Sequence, residues 1–331
     1  MRKILTTTAF LAASLTAGAA LAECGDIKMA EFNWPSGELM ANVDKFILEA
    51  GYGCNVELVV GGTTAIFASM NEKGEPHIAG EQWVNALREL LDPALAEGRL
   101  HAVNEAPILG LGEGWWVPPY TLADHPEFKT VLDIIEHPEL FPDSEDPSKG
   151  AFIGCPAGWG CQQNNESLFR AFDMEAKGWV LVDPGSAAGL DGSIAKANER
   201  KENWFGYYWS PTSIIGKYNM QPVPFGVDYA GDDNWNNCIA VADCADPQPT
   251  AWVQSEVYTI VTDDFKQSGG EINDYLAARI YTAEAMGSML VYMADEQADG
   301  SDAAIEFLIQ HEDLWTTWVS DEVAAKVKAA L

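Results

Sequence analysis

Strand-like and helix-like patterns of apolar residues alternate along the N-terminal third of the chain. Within one helix-like stretch, Leu39, Val43 and Ile47 fall on one face, and Ser36 is expected to be its N-cap. This order predicts an α/β fold with mostly parallel sheets covered by helices on both faces. The strand-like stretches are 27–33, 54–61 and 77–80, and the helix-like stretches are 36–50, 63–71 and 84–96.

The same pattern returns further along the chain. A second block of strands and helices runs from 117 to 247, and a tail at 251–331 begins with a strand at 257–261. A chain that leaves one unit, builds another and then returns forms two lobes, which we place at 23–116 plus 250–331 and at 117–249. In such folds the ligand binds in the cleft between the lobes, at the carboxyl ends of the strands.

The N-terminus has the features of a secretory signal peptide. Arg2 and Lys3 precede an apolar run at 4–20, and the segment 20–22 supplies the small residues that signal peptidase requires. We therefore predict that residues 1–22 are removed and that the mature protein is exported to the periplasm without inserting into the membrane.

Six cysteines follow the predicted signal, an even number that suits an oxidising compartment. No Cys-x-x-Cys occurs, which argues against a thiol redox site or a zinc ribbon. Fifteen connectivities are open to six cysteines, and buried free thiols are the alternative. We predict two short rings and one longer bridge, namely Cys155–Cys161, Cys238–Cys244 and Cys24–Cys54.

The charge of the chain excludes several partners. Fifty acidic residues against 19 basic ones give a net charge of −31, and removal of Arg2 and Lys3 would make it −33. Such a chain repels nucleic acid and anionic membranes, so we expect neither as a partner. The 331 residues, 47% of them hydrophobic, are sufficient for two lobes with proper cores.

The tryptophans suggest where a ligand binds. The chain has 12, and four of them follow strand-like stretches or a loop between glycines: Trp34, Trp83, Trp159 and Trp209. Trp159 lies in a glycine-rich loop that Cys155 and Cys161 can close into a ring. Taken singly, each indole could equally be a half-buried core residue, but four at strand ends would converge on one cleft.

An aromatic box has a specific chemistry. A quaternary ammonium has no N–H to donate, so hydrogen-bond acceptors cannot select it. Indole faces can surround its methyl groups, with about 0.5–2 kcal/mol from each face. The pattern of tryptophans therefore predicts a small methylated-amine ligand.

Three motifs carry a resemblance to a known family. They are Gly-Cys-x-x-Gly-Trp-Gly-Cys at 154–161, Gln-Trp at 82–83 and Tyr-Tyr-Trp-Ser-Pro at 207–211. In this order and spacing they resemble the periplasmic glycine betaine/proline betaine binding proteins of osmoprotectant ABC transporters, over nearly the whole mature chain.

The resemblance implies a two-lobed type II periplasmic binding fold that closes on its ligand like a hinge. It implies a cage of Trp83, Trp159 and Trp209, with the backbone N–H groups of Gly160 and Cys161 holding a ligand carboxylate or oxyanion. It also implies a monomer that works with the permease and ATPase subunits of an ABC transporter.

One position departs from the family pattern. Family members can carry a His one helical turn after the second tryptophan, where it helps to hold a betaine carboxylate, and here that residue is Leu87. Trp34, together with Trp115 or Trp116, adds aromatic surface, and we place Trp116 in the site. The balance favours trimethylamine N-oxide, to whose binding proteins the resemblance extends, over glycine betaine, proline betaine or choline.

A carboxylate beside the box would complement the positive charge of such a ligand. Glu31, Glu81 and Glu113 lie near the candidate tryptophans, and we assign the role to Glu31. The alternative for each is a solvated surface carboxylate.

Other functions have less support in the sequence. A structural calcium ion would bind at Asp232 and Asp233, although a solvated acidic loop is favoured there, and no cofactor is predicted. The sequence has no Gly-x-Ser-x-Gly or His-Glu-x-x-His motif, which argues against an enzyme. A periplasmic choline-ester hydrolase and a chemosensory binding protein remain as alternatives.

Overall fold

The fold is known from a computed structural model, which describes residues 24–242 and 244–331. The signal peptide predicted at 1–22 lies outside the described residues. The strands are β1 (Asp26–Phe32), β2 (Asn55–Gly61), β3 (Ile78–Trp83), β4 (Leu100–Asn104), β5 (Gly112–Val117), β6 (Gly150–Ile153), β7 (Trp179–Val182), β8 (Gly206–Ser210), β9 (Gln221–Pro222) and β10 (Val257–Thr262).

Helices follow most of these strands. The α-helices are α1 (Pro35–Ile47), α2 (Thr63–Lys73), α3 (Arg88–Ala96), α4 (Pro119–Asp124), α5 (Val131–Ile134), α6 (Gly160–Ala171), α7 (Ala187–Arg200), α8 (Ser213–Tyr218), α9 (Asp232–Asn234), α10 (Asp263–Ser268), α11 (Glu271–Ala278), α12 (Ala283–Glu296), α13 (Gly300–Gln310), α14 (Glu312–Trp315) and α15 (Asp321–Ala330). Leu48–Tyr52 and Trp235–Ile239 are π-helical, and Pro138–Leu140 is a 3₁₀ turn.

Two five-stranded sheets form the framework, one in each lobe. The first has the order β2-β1-β3-β10-β4 and the second the order β7-β6-β8-β5-β9. In the first sheet β1 runs parallel to β2 and β3, while β10 runs antiparallel to β3 and β4. In the second, β6 runs parallel to β7 and β8, while β5 runs antiparallel to β8 and β9.

The sheets are therefore mixed, whereas the sequence pattern suggested mostly parallel ones. The parallel pairs come from consecutive strand–helix units, as predicted. The antiparallel pairs involve β5 and β10, the strands that follow each crossing between the sheets. Such a strand enters its sheet from the opposite end, which a local sequence pattern cannot indicate.

The chain passes between the sheets twice. β5 pairs with β8 and so belongs to the second sheet, and β10 returns to the first. The lobe limits of 23–116 plus 250–331 and 117–249 remain a prediction. The membership of β5 in the second sheet favours a first boundary before Gly112.

Two helices begin differently from the prediction. In α1, Pro35 is the first helical residue and Trp34 has the N-cap position, so Ser36 lies inside the helix. Its hydroxyl donates to Glu81 instead of capping the helix. After β3 the chain makes a turn closed by the N–H of Leu87 and the carbonyl of Val84, which delays the start of α3 to Arg88.

Two apolar cores support the sheets. One lies between the first sheet and its helices and includes Leu39, Met286 and Phe307, all fully buried. The other fills the second lobe and continues into the first through Trp34 and Trp159. The cleft between the lobes is therefore bordered by aromatic side chains that belong to a continuous core.

The structure forms three disulfides, Cys24–Cys54, Cys155–Cys161 and Cys238–Cys244. The first joins the segment before β1 to the residue before β2, and the other two close short loops of the second lobe. No helix within residues 24–242 and 244–331 combines the length and the apolar character needed to cross a bilayer.

Candidate functional site

A small cavity lies between the two lobes. Its walls lie close together, so the enclosed space is small. Tryptophans predominate in its lining, which consists of Trp34, Thr63, Trp83, Glu113, Trp159, Gly160, Cys161, Tyr207 and Trp209.

The four tryptophans come from three strand ends and one helix start, in both lobes. Trp34 follows β1 and Trp83 ends β3 in the first sheet, while Trp159 precedes α6 and Trp209 lies near the end of β8 in the second. The structure thus brings together the four indoles that the sequence pattern placed in one cleft.

Three of the four indoles meet edge to face. The ring centroids of Trp34 and Trp159 are 5.1 Å apart with planes at 71°, and those of Trp159 and Trp209 are 5.2 Å apart at 83°. Tyr207 stacks beside Trp209 at 6.3 Å. Edge-to-face packing is a favourable arrangement of aromatic pairs, so the walls support one another as well as enclosing the cavity.

The loop that carries Trp159 is held by the Cys155–Cys161 disulfide. Gly158 has a φ of +85°, a conformation that only glycine adopts without strain. Trp159 occupies the N-cap position of α6 and accepts no hydrogen bond there through its side chain. Gly160 and Cys161, the first two residues of α6, line the cavity.

The same loop touches the first lobe directly. The indole Nε1 of Trp159 donates to Oδ1 of Asn33 at 2.8 Å, and the hydroxyl of Thr64 donates to the Gly158 carbonyl at 3.1 Å. A Cβ on Gly160 would lie 2.8 Å from Cβ of Ala86 in the first lobe. Sequence reasoning missed Asn33, whose position directly before Trp34 was the available signal.

The backbones of the two lobes also approach each other beside this loop. A Cβ on Gly62 would lie 2.8 Å from the carbonyl oxygen of Gly158. A side chain at this position would therefore have to push the loop away from the first lobe.

Glu81 lies behind Trp34 and Trp83, the two indoles that the first lobe contributes to the cavity. Its Oε1 accepts hydrogen bonds from Nε1 of Trp34 at 2.9 Å, from Nε1 of Trp83 at 3.0 Å and from the hydroxyl of Ser36 at 2.9 Å. Burial raises the pKa of Glu81 to about 7, although these three hydrogen bonds oppose the shift. The carboxylate thus fixes two indoles and titrates near neutral pH.

Glu113 is the carboxylate that lines the cavity. The hydroxyl of Tyr207 donates to its Oε1 at 2.9 Å, and the hydroxyl of Ser255 donates to its Oε2 at 3.1 Å. Burial raises the pKa of Glu113 to about 6, against the effect of these hydrogen bonds. The group is therefore mostly ionised at neutral pH and gives the cavity a negative charge.

Trp116, placed in the site from the sequence, does not line this cavity. It is three residues from Glu113 on β5, an odd separation that puts the two side chains on opposite faces of the strand. Its Nε1 donates to the carbonyl of Tyr208 at 2.9 Å. Trp115 is fully buried in an aromatic core formed with Phe152, Phe172, Phe205 and Phe225.

Glu31 also lies away from the cavity. It is half-buried, and burial, followed by the charges of Glu38 and Asp299, raises its pKa. The carboxylate that meets the cavity is Glu113, on the other lobe. Leu87 is buried next to α3 and does not line the cavity.

Asp232 and Asp233, the candidate calcium ligands, accept hydrogen bonds from neighbouring side chains. Asp232 accepts from the hydroxyl of Tyr229 at 2.9 Å, and Asp233 accepts from the side-chain amide of Asn237 at 2.7 Å. Within the part of the chain that the structure describes, no group of three or more His, Cys, Asp or Glu residues is arranged to hold a metal ion.

Solved structures share this architecture at low sequence identity. A choline-binding protein of an ABC transporter, in complex with choline, has a TM-score of 0.73 and 16% identity, with 93% of this chain and 98% of that one covered. A glycine betaine, L-proline ABC-transporter binding protein from Borrelia burgdorferi has a TM-score of 0.72 and 16% identity, with 91% and 99% covered. Lactococcal OpuAC, in its closed-liganded conformation with glycine betaine, has a TM-score of 0.66 and 15% identity, with 89% and 100% covered.

The chain matches none of the curated protein sequences compared with it. A family model, by contrast, covers most of the chain. Residues 25–310 match the model described as the substrate binding domain of an ABC-type glycine betaine transport system. This match gives the chain the role of a substrate-binding component of an ABC transporter. It belongs to the family of substrate-binding domains of ABC-type glycine betaine transport systems.

Proposed function

We propose that this protein captures a small methylated ammonium osmolyte, with trimethylamine N-oxide as the favoured ligand, in a tryptophan cage between its lobes. The observation that carries the proposal is the lining of the cavity. It combines four indoles and one phenol with a single carboxylate, and no Lys, Arg or His is found among the described residues that line it.

The methyl groups and positive nitrogen of the ligand suit the indole faces. Trp34, Trp83, Trp159 and Trp209 come from opposite sides of the cleft, so closure of the lobes surrounds a cation with π faces. Glu113 supplies a counter-charge that the aromatic rings cannot supply. Burial of this carboxylate without a basic partner in the lining costs less once a positive nitrogen lies beside it.

The oxygen of the ligand requires hydrogen-bond donors. The N-terminus of α6 offers the N–H groups of Gly160 and Cys161, next to an N-cap side chain that does not cap the helix. One oxyanion atom can be accommodated there. A carboxylate has two oxygens to satisfy and would need further donors.

Glycine betaine, proline betaine and choline are the alternative ligands of the same class. The solved relatives that bind glycine betaine or choline support this alternative through shared fold alone. Leu87, in place of a histidine donor, favours the ligand with the smaller oxygen-bearing group.

The setting of this function is also a proposal. We expect a monomer, exported to the periplasm after removal of residues 1–22, that delivers its ligand to the permease and ATPase subunits of an ABC transporter. Binding without turnover is expected, because Ser36 and Ser255 donate to Glu81 and Glu113 but no histidine base is found among the described residues that line the cavity. A choline-ester hydrolase is the alternative from another class, and incubation with acetylcholine distinguishes it by release of choline.

Thermal unfolding with each ligand tests the proposal. Trimethylamine N-oxide at about 100 times its dissociation constant should add about 2.7 kcal/mol. For a chain of this size that corresponds to a rise of about 4 °C in Tm. A larger rise with glycine betaine at equal concentration would refute the ligand assignment but keep the class, and no rise with any methylated amine would refute the cage.

A matched pair of variants at one position tests the role of the indole faces. Trp159→Phe keeps an aromatic face, whereas Trp159→Leu keeps only apolar volume. We expect the Leu variant to bind trimethylamine N-oxide more weakly than the Phe variant by about 0.5–2 kcal/mol, measured by titration calorimetry. Equal affinities would mean that the wall acts by shape alone.

A further inference from the structure

A single carboxylate oxygen connects two walls of the cavity. Oε1 of Glu81 accepts the indole N–H groups of both Trp34 and Trp83, which are 49 residues apart in the sequence. Glu81 is 1% exposed and does not line the cavity itself. Hydrogen bonds to an ionised acceptor are roughly twice as strong as neutral ones, so the charge of Glu81 holds both ring planes firmly.

The charge of Glu81 also changes the electrostatic potential at the faces of the two indoles. An indole face attracts a cation because its π system carries negative potential. A carboxylate at the N–H edge adds negative potential to the same ring. Because the group is buried, solvent and salt screen its field only weakly. The carboxylate therefore favours a positive ligand that it does not touch.

The neighbouring basic group does not neutralise this carboxylate. Arg279 acts on Glu81 through its charge, but it is paired with Asp44, with Nη1 and Oδ2 3.3 Å apart and both side chains fully buried. Among the described residues, Oε2 of Glu81 has no hydrogen-bond partner. When Glu81 is ionised, a cation in the cavity can therefore balance its negative charge.

We infer that Glu81 is a positioning residue that makes the cavity select a positively charged trimethylated group over an uncharged group of the same shape. It acts through the indoles of Trp34 and Trp83 rather than by contact. The inference rests on the proposed function, because it concerns the same cavity and the same class of ligand.

The test compares Glu81→Gln with the wild type. Glutamine keeps a side-chain oxygen to accept the indole N–H groups but carries no charge. The ligands are trimethylamine N-oxide and tert-butanol, which share three methyl groups and one oxygen and differ in the charge of the central atom. We expect the variant to lose about tenfold in affinity for trimethylamine N-oxide and to bind tert-butanol unchanged.

The outcomes separate the two proposals. An equal loss for both ligands would overturn the inference and leave Glu81 with a purely structural role, and no loss for either would also overturn it. A wild-type protein that binds no methylated ammonium compound at all would instead overturn the proposed function.

The wild-type protein supplies a second readout if the variant does not fold. With a pKa of about 7, raised by burial, Glu81 gains its charge as the pH rises through neutrality. Arg279 and Tyr281 act on Glu81 through their charges, and burial raises the pKa of Tyr281 well above its usual value; burial also raises the pKa of Asp44, the partner of Arg279, and that of Glu113 to about 6. The preference for trimethylamine N-oxide over tert-butanol should rise between pH 6 and 8, and should still do so in Glu113→Gln. A flat preference in both proteins would overturn the inference.

Discussion

Removal of the charge of Asp44 should destabilise the first lobe strongly. Asp44 on α1 and Arg279 after α11 are both fully buried, and the ion pair joins two elements far apart in the sequence. Arg279 also donates to the Gly80 carbonyl at 3.2 Å and to the Thr259 hydroxyl at 2.8 Å. The substitution Asp44→Asn leaves these hydrogen bonds in place and makes the guanidinium an uncompensated buried charge.

The magnitude follows from this burial. Loss of one partner of a buried pair costs about 3–5 kcal/mol. Asparagine still offers an oxygen to the hydroxyl of Tyr275, which donates to Asp44 at 2.5 Å, so we expect the lower end, about 3 kcal/mol. The entropy of unfolding of a chain of this size is about 0.6 kcal/mol/K, which converts the loss into a fall of about 5 °C in Tm.

The assay is calorimetric unfolding of the unliganded protein, with Glu322→Gln as the control. Glu322 pairs with Lys326 on the surface, where the carboxylate is 70% exposed, and its loss should change stability by less than about 0.5 kcal/mol. A fall of less than about 1 °C for Asp44→Asn would refute the reasoning, because it would mean that the buried guanidinium does not need its counter-ion.

Two further predictions concern the carboxylates and the disulfide loop. Burial raises the folded-state pKa of Glu113 from 4.5 to about 6, so the stability that this group adds is present below pH 4.5 and is lost as the pH rises through 6. The free energy of unfolding should therefore fall by about 2 kcal/mol between pH 4.5 and 7 because of Glu113. In Glu113→Gln this part of the fall should be absent when the free energy is measured by urea titration. An identical pH profile in the variant would contradict the assigned shift. Replacing both Cys155 and Cys161 by Ala should cost about 2 kcal/mol of stability and weaken ligand binding severalfold, since the closed loop positions Trp159. The same change at Cys238 and Cys244, which close a loop of equal length away from the cavity, should cost similar stability and leave the affinity unchanged. Equal affinities in the two double variants would refute a positioning role for the loop closed by Cys155 and Cys161.

The sequence was sufficient to predict the parts of the site that depend on strand ends. Trp34 and Trp83 could be placed together because the carboxyl ends of parallel strands meet at one edge of a sheet. Trp116 could not be excluded, since the face of β5 that meets the cavity depends on how that strand pairs with β8 in the other sheet. The link from Glu81 to Trp34 spans 47 residues and is a matter of packing, so no local pattern reveals it. The antiparallel pairing of β10 with β3 and β4 also joins segments that are distant in the sequence, so a local pattern does not reveal it.

The close backbone contact beside the disulfide loop bears on the speed of ligand exchange. Gly62 faces the Gly158 carbonyl and Gly160 faces Ala86, and in both places a methyl group would come within 2.8 Å of the other lobe. Lobes that meet without intervening side chains leave little space beside the cavity, whose walls come from both sheets. A bound molecule can then leave only as fast as the lobes separate, so its residence time is set by the opening rate and not by diffusion through a fixed channel.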